Sequence, residues 1–272
     1  MSVDNSRVYG NKPYYVAVIH GGPGAPGEMA PVARELSLST GVLEPLQTTE
    51  TVEGQMEELK GVLETQGTAP FILVGFSWGA WLGYMLASAY PFLVKKLILI
   101  SSGPFEEKYS HQIMETRLNR LDETEQKEVL FLLDTLNSPT SNSGCFARFG
   151  ELMNKADSYD LLTDETEVML SNPNIYRGVW QQASKLRSNG ELIKMGTSIK
   201  CPVVAIHGDH DPHPAEGVRV PLSHVLQDFR FTLLEKCGHR PWLERHAMDD
   251  FYRILRRETV NKAQTGLLSE HS

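Results

Sequence analysis

A serine, an aspartate and a histidine that could act together occur at Ser77, Asp211 and His239, each just after a run of residues that reads as a buried strand. A serine hydroxyl is a poor nucleophile at neutral pH unless a base takes its proton and a third group orients that base. Together the three side chains could attack a carbonyl carbon. We predict Ser77 as the nucleophile, His239 as the base and then the acid, and Asp211 as the group that fixes the imidazole tautomer.

The residues around Ser77 favour this role. Residues 71–74 are Phe-Ile-Leu-Val, which is typical of a buried strand, and a helical pattern follows the serine. Gly75 and Gly79 lie two residues to either side, so backbone segments can approach the turn closely. Strand, sharp turn and helix in this order present a serine hydroxyl at the top of a tight turn.

Two aspartates compete for the third role. Asp209 and Asp211 both lie in the loop after the apolar residues 203–206, and His239 follows the next strand-like run, residues 229–234. Loops at the carboxyl ends of parallel strands meet at one edge of a sheet, which could bring acid and imidazole together. A glycine three residues before Asp211 favours that residue, and Asp209 stays the alternative.

A glycine-rich loop could stabilise the negative charge that develops on a carbonyl oxygen. It runs His20-Gly21-Gly22-Pro23-Gly24. Because Pro23 has no N–H, we predict the backbone N–H of Gly22 as one donor and that of Trp78, directly after the nucleophile, as the second. His20 is expected to order its own loop by hydrogen bonding.

Several side chains that bind metals in other proteins lie close together near Asp211. They are His207, Asp209, His210, Asp211 and His213. Successive residues of one loop rarely converge on one ion, and the roles above already account for Asp211. We therefore predict neither a metal site nor a cofactor.

Strand-like and helix-like segments alternate along most of the chain. The strand-like segments are residues 14–19, 42–46, 71–74, 96–100, 203–206 and 229–234. The last helix-like segment is amphipathic, with an apolar face formed by Met248, Phe251, Ile254 and Leu255. This alternation predicts an α/β fold with a mostly parallel sheet flanked by helices.

The strand signal disappears between residues 104 and 196, where several helical stretches replace it. We predict a core domain formed by residues 1–103 and 197–272, with residues 104–196 inserted as a helical cap. Tyr176 and Trp180 are spaced one helical turn apart in this insertion, which favours a packing face over a substrate contact. The acidic residues of the insertion that could receive a substrate amine are Glu106, Glu107, Glu151 and Asp157.

Taken together, the motifs resemble those of α/β-hydrolase-fold serine hydrolases, in which the nucleophile, acid and base follow the same order along the chain. The motifs are the glycine-rich loop at 20–24, Gly-Phe-Ser-Trp-Gly at 75–79, the spacing of Gly208 and Asp211, and Gly-His-Arg-Pro-Trp at 238–242. Only about a dozen residues precede the first strong strand. The leading antiparallel hairpin typical of that fold is therefore expected to be absent, which leaves about six strands.

Three functions fit these residues. The first is carboxylesterase-like cleavage of an ester, thioester or amide of a small molecule through an acyl-enzyme on Ser77. Within the superfamily, the motifs are also similar to those of proline iminopeptidases, and that resemblance implies removal of an N-terminal proline from short peptides. The third alternative is a catalytically silent binding module, which usually lacks a member of the triad.

Composition limits which classes of binding partner and which cellular compartment we expect. The 272 residues are 41% hydrophobic and 22% charged, and the net charge of −8 disfavours binding to nucleic acid or to an acidic membrane surface. Three cysteines do not resemble a disulfide framework, and the polar N-terminus lacks the apolar core of a signal peptide. We expect a cytoplasmic protein that acts on a small molecule or short peptide. The sequence does not specify an oligomeric state.

Overall fold

A seven-stranded sheet forms the centre of the molecule. The computed structural model describes residues 5–137, 143–163 and 172–260. The strands are β1 (Ser6–Tyr9), β2 (Tyr14–Ile19), β3 (Gly41–Pro45), β4 (Phe71–Phe76), β5 (Val94–Ile100), β6 (Val203–Gly208) and β7 (Phe229–Leu234). Their order in the sheet is β1-β3-β2-β4-β5-β6-β7. Only β1 is antiparallel to its neighbour among these strands, and the others run parallel.

Helices follow most of the strands and cover both faces of the sheet. They are α1 (Ala30–Ser37), α2 (Val52–Gln66), α3 (Trp78–Ala89), α4 (Ile113–Leu118), α5 (Glu123–Asn137), α6 (Ser143–Asp157), α7 (Pro173–Ser188), α8 (Glu191–Lys194), α9 (Glu216–Val225) and α10 (Met248–Thr259). No helix in the described part of the chain is long and apolar enough to span a membrane.

The predicted α/β architecture with a mostly parallel sheet is confirmed, with one strand more than expected. Residues Ser6–Tyr9 form β1, which lies along β3 with Ser6 opposite Pro45 and Tyr9 opposite Val42. This edge strand has four residues, and its central Val8 is 51% exposed. A segment this short and solvated carries no apolar pattern, so the sequence did not indicate it. A leading hairpin was not expected, and among the described residues the first strand, β1, pairs with β3 and not with β2.

The apolar strands are buried on both faces, which explains why they read as continuous hydrophobic runs. In β4, every residue is buried, and successive side chains point into different layers. Leu73 packs in the cluster that includes residues of α2 and α3. Val74 packs in the cluster that includes residues of α1 and α10. The sheet is therefore held between two apolar layers.

The helices between β5 and β6 pack in two different ways. Helices α5 and α6 share an apolar cluster of their own, which includes Val129, Leu132, Leu152 and Ala156. Helices α7 and α8 contribute to the main core instead, for example through Val179. The predicted cap at residues 104–196 thus contains one pair of helices with a separate core and another pair fixed to the main core. Its outer boundaries stay a prediction.

Candidate active site

Ser77 occupies a strained turn between β4 and α3. Its backbone has φ 51° and ψ −110°, a conformation that non-glycine residues adopt at a cost. A side chain on Gly75 would collide with the carbonyl of Gly79, and one on Gly79 would collide with the carbonyls of Ile19 and His20. The two flanking glycines are therefore required for backbone contact, as the sequence predicted. Strain of this kind is characteristic of a serine presented for chemistry.

His239 and Asp211 are in direct contact. Nδ1 of His239 lies 2.7 Å from Oδ2 of Asp211, whose side chain is completely buried. The competing carboxylate is used elsewhere, since Oδ1 of Asp209 accepts a hydrogen bond from the backbone N–H of Cys237 at 3.1 Å. Of the two aspartates that the sequence left open, the structure brings Asp211 to the imidazole.

Asp211 also binds a second imidazole, that of His213, for which no role in the site was predicted. Its Oδ1 accepts hydrogen bonds from the backbone N–H of His213 at 2.9 Å and from the ring Nδ1 of His213 at 2.8 Å. The rings of His213 and His239 lie 4.7 Å apart. His207 approaches from the other side, with Nε2 3.6 Å from Oδ2 of Asp211. One carboxylate is thus surrounded by three imidazoles.

This environment sets the charges at neutral pH. Burial would raise the pKa of Asp211, but its interactions with His239, His213 and His207, including the hydrogen bond from His213, hold that pKa well below its usual range. Burial likewise opposes the charged form of His239, yet the adjacent Asp211 raises the pKa of His239 above its ordinary value. For His213, burial prevails and lowers the pKa to about 4. Asp211 is therefore ionised and His213 neutral.

The ligand atoms of Asp211, His213 and His239 lie within 4.8 Å of one another. Each of the two ring Nδ1 atoms lies at hydrogen-bond distance from an oxygen of Asp211, at 2.8 Å for His213 and 2.7 Å for His239. The geometry is that of a hydrogen-bonded cluster. His210, which the sequence placed among the potential metal ligands, lies instead with its ring against that of Tyr159 at 5.3 Å.

The loop that carries His239 is fixed by two acidic residues, Glu244 shortly after it in the chain and Asp157 at the end of α6. The backbone N–H of Gly238 donates to Oε1 of Glu244 at 3.0 Å, and that of His239 donates to the carbonyl of Asp157 at 2.8 Å. A side chain on Gly238 would collide with both acceptors. Glu244 is fully buried. No local sequence pattern could have revealed these partners, because each contact depends on how the loop folds back.

His20 orders the glycine-rich loop, as predicted. The side chain is completely buried, its Nδ1 lies 2.7 Å from the carbonyl of Gly21, and its Nε2 accepts from the backbone N–H of Gln47 at 3.3 Å. Burial lowers the pKa of His20 to about 4, so the imidazole is neutral and can donate at one nitrogen while it accepts at the other. Gly22 follows with φ +31°.

Gly22 and Trp78 border the same cavity as Ser77. The indole N–H of Trp78 is engaged with Oε1 of Gln55 at 2.8 Å, so its side chain serves packing. Its backbone N–H belongs to the first residue of α3, where helix geometry provides no intrahelical acceptor. Both residues thus border the cavity that Ser77 borders, and their role as donors stays a prediction.

The cavity has a volume of about 770 Å³ and a largely apolar wall. Ser77 and His239 lie at its border, and aromatic rings form much of the rest. Tyr176 and Trp180 stack with ring centroids 6.4 Å apart, and Trp180 stacks in turn on Trp81 at 6.0 Å. The predicted packing contact between Tyr176 and Trp180 is therefore present, and both rings line the cavity as well.

The four acidic cap residues that the sequence singled out are all neutralised by cations. Each pairs with a lysine or arginine: Glu106 with Lys108, Glu107 with Arg187, Glu151 with Arg148, and Asp157 with Arg117. A different carboxyl borders the cavity, that of Glu28, whose Oε1 is buried without a partner among the described residues. Burial raises the pKa of Glu28 to about 7 against the opposing charges of Arg240 and His239.

A mostly parallel sheet between helical layers, with a strained serine at the end of a central strand, defines the α/β-hydrolase fold. The sequence model of the alpha/beta hydrolase family matches residues 19–254, and the chain belongs to this family.

Similar proteins include enzymes with different substrates. A 197-residue stretch is 24% identical to Homo sapiens monoacylglycerol lipase ABHD6, covering 72% of this chain and 57% of that protein's length. The structure of VinJ superposes with a TM-score of 0.67 at 19% identity, covering 94% of this chain and 95% of VinJ. Proline iminopeptidase from Mycobacterium smegmatis gives a TM-score of 0.60 at 16% identity, covering 97% and 96%. At these identities the structural likenesses show the fold alone.

Proposed function

We propose that this protein is a serine hydrolase that cleaves an ester, thioester or amide through an acyl-enzyme on Ser77. The observation that carries the proposal is the 2.7 Å contact between His239 and the buried carboxylate of Asp211, at the border of the cavity that also exposes Ser77. A base held in one tautomer beside a strained serine is what nucleophilic acyl transfer requires.

The geometry supports the following sequence of steps. Nδ1–H of His239 donates to Asp211, which leaves Nε2 free to accept the proton of Ser77 as its Oγ attacks the carbonyl carbon. The backbone N–H groups of Gly22 and Trp78 stabilise the oxyanion. The His239 imidazolium then gives its proton to the leaving group, and water activated by the same imidazole hydrolyses the acyl-enzyme.

The cavity wall favours a substrate with an apolar portion. Phe146, Phe149, Met153, Tyr176 and Trp180 all border the cavity, and Phe146 and Tyr176 meet at 5.0 Å between ring centroids. Surfaces of this kind bind hydrocarbon chains through burial of apolar area. A carboxylesterase-like activity on small acyl esters is therefore the leading function, with the helices of residues 104–196 shaping the pocket.

An iminopeptidase-like activity is the second candidate, favoured by Glu28. A free substrate amine needs a carboxylate, and the four acidic cap residues are paired with cations. Glu28 borders the cavity and forms no salt bridge with a cation among the described residues, so its carboxylate could accept the ammonium group. A prolyl arylamide cleaved much faster than any acyl ester would place this activity first.

Labelling with a fluorophosphonate probe tests the nucleophile. The wild-type protein should be labelled, and Ser77→Ala should not, with Ser101→Ala as the matched control because Ser101 is a buried serine with a positive φ at the end of β5. Equal labelling of wild type and Ser77→Ala contradicts the assignment. Absence of hydrolysis across a panel of acyl esters and a prolyl arylamide would instead favour a silent binding module.

A further inference from the structure

Arg117, in α4, is a mostly buried guanidinium at the border of the cavity. Its side chain is 16% exposed, and it lines the same space as Ser77 and His239. Nε donates to Oδ1 of Asp157 at 2.7 Å and Nη2 donates to Oδ2 at 2.7 Å. This side-on pairing fixes the plane of the guanidinium, so the remaining donors are held in place at little further entropic cost.

Three of the five N–H groups of Arg117 are left over. A guanidinium has five N–H donors, and Asp157 takes one from Nε and one from Nη2. Among the described residues, Nη1 makes no hydrogen bond. The leftover donors include the end-on pair on Nη1 and Nη2, which matches the two oxygens of a carboxylate. Arg117 lines the cavity and its side chain is 16% exposed, so an acceptor that enters the cavity could pair with these donors.

Arg117 is connected to the predicted base, His239, through Asp157. The carbonyl of its partner Asp157 accepts the backbone N–H of His239 at 2.8 Å, so the guanidinium is one residue removed from the base. A second guanidinium, that of Arg240, borders the same cavity. Glu151, a cap carboxylate on the cavity wall, is paired with Arg148 at 3.1 Å.

We propose that Arg117 binds a carboxylate of the substrate, and that the natural substrates are acyl compounds that carry a carboxylate at a short distance from the scissile carbonyl. This inference rests on the proposed hydrolase function. Asp157 offsets the charge of Arg117, so the recognition depends mainly on directed N–H donors and less on net charge. A purely structural role, in which Arg117 only ties α4 to α6, predicts no preference between charged and neutral substrates.

The test compares two esters of equal chain length, 4-nitrophenyl hexanoate and the 4-nitrophenyl half ester of adipic acid. Arg117→Met should reduce the ratio of kcat/KM for the adipate ester to that for the hexanoate by about 10-fold or more, because hydrogen bonds to a charged group are lost. Arg253→Met, which removes an exposed arginine of α10 that does not line the cavity, should leave the ratio unchanged. An unchanged ratio in Arg117→Met overturns the inference.

Loss of Arg117 also leaves Asp157 as an unpaired buried carboxylate, which could displace His239. The double variant Arg117→Met/Asp157→Leu removes that charge and keeps the backbone carbonyl that holds His239. It should hydrolyse the hexanoate ester and still discriminate against the adipate ester. Recovery of the wild-type ratio in the double variant would show that the arginine is structural.

A binding measurement separates this inference from the hydrolase proposal. If neither ester is hydrolysed faster than in buffer, the proposed function fails, and calorimetric titration of adipate into Ser77→Ala still tests Arg117. Adipate should bind Ser77→Ala at least about 10-fold more tightly than Ser77→Ala/Arg117→Met. Equal affinity, or no binding to either protein, overturns the carboxylate site.

Discussion

The carbonyl of Asp157 accepts the backbone N–H of His239 at 2.8 Å, which ties the last residue of α6 to the predicted catalytic base. The Asp157 side chain is also bound to Arg117 through two hydrogen bonds. A helix of the insertion therefore takes part in positioning the imidazole. Changes in the insertion should alter turnover as well as substrate choice.

Replacing Asp211 by asparagine should lower kcat by about 10³–10⁴-fold, because an amide cannot hold the imidazole in the productive tautomer or stabilise the imidazolium. Asp209→Asn is the matched control, since Asp209 accepts a backbone N–H from Cys237, which an asparagine oxygen can also do. Steady-state kinetics on one acyl ester measures both. A larger loss in Asp209→Asn than in Asp211→Asn would reverse the assignment of the acid.

The activity should rise with pH as His239 loses its proton. Asp211 raises the pKa of His239, and an ionised Glu28 adds to this, since the charge of His239 lowers the pKa of Glu28 and the effect is reciprocal. Glu28→Gln should therefore move the acidic limb of the kcat/KM profile to lower pH. The other charged groups near Glu28, Arg240 and Glu44, are unchanged in this variant. A shift to higher pH would contradict this electrostatic picture.

His20 should make the protein less stable in mild acid. Its folded pKa of about 4 lies below the unfolded value near 6.5, so between these pH values the unfolded chain binds a proton that the folded chain does not. The free energy of unfolding should fall as pH drops from about 6.5 to about 4. His20→Asn should cost about 1–3 kcal/mol at pH 7 and reduce that pH dependence. Denaturant unfolding at several pH values measures both effects, and the exposed His224→Asn should change neither.

Two glycine substitutions should have opposite effects on stability. Gly79→Ala places a methyl group against the carbonyls of Ile19 and His20, so it should cost about 3 kcal/mol or more and displace the glycine-rich loop. Gly61→Ala, in α2, meets nothing within 4 Å and should stabilise the protein by about 0.5–1 kcal/mol through helix propensity. Thermal unfolding gives both values. A stable, active Gly79→Ala variant would contradict the required close approach.

Local patterns predicted much of the fold. The parallel strands were visible because strands buried on both faces read as unbroken apolar runs, as in β4 and β6. The turn at Ser77 could be predicted because Gly75 and Gly79 stand where neighbouring backbone leaves no room for a side chain. The edge strand Ser6–Tyr9 was missed. Its four partly exposed residues pair with β3 through backbone hydrogen bonds, which do not require particular side chains.

By itself, the sequence determined which residue types follow which strands, and with them the order Ser77, Asp211, His239. These features depend on short segments, where apolar runs, turn glycines and chain order fix the local outcome. Only the tertiary structure decided that Asp211 meets His239 while Asp209 holds a backbone N–H, and that Arg117, Asp157 and Glu244 come to the same loop. Most of these contacts join residues 28 or more positions apart, which meet only when the helices pack on the sheet, and Glu244 reaches Gly238, six positions away, because the loop folds back.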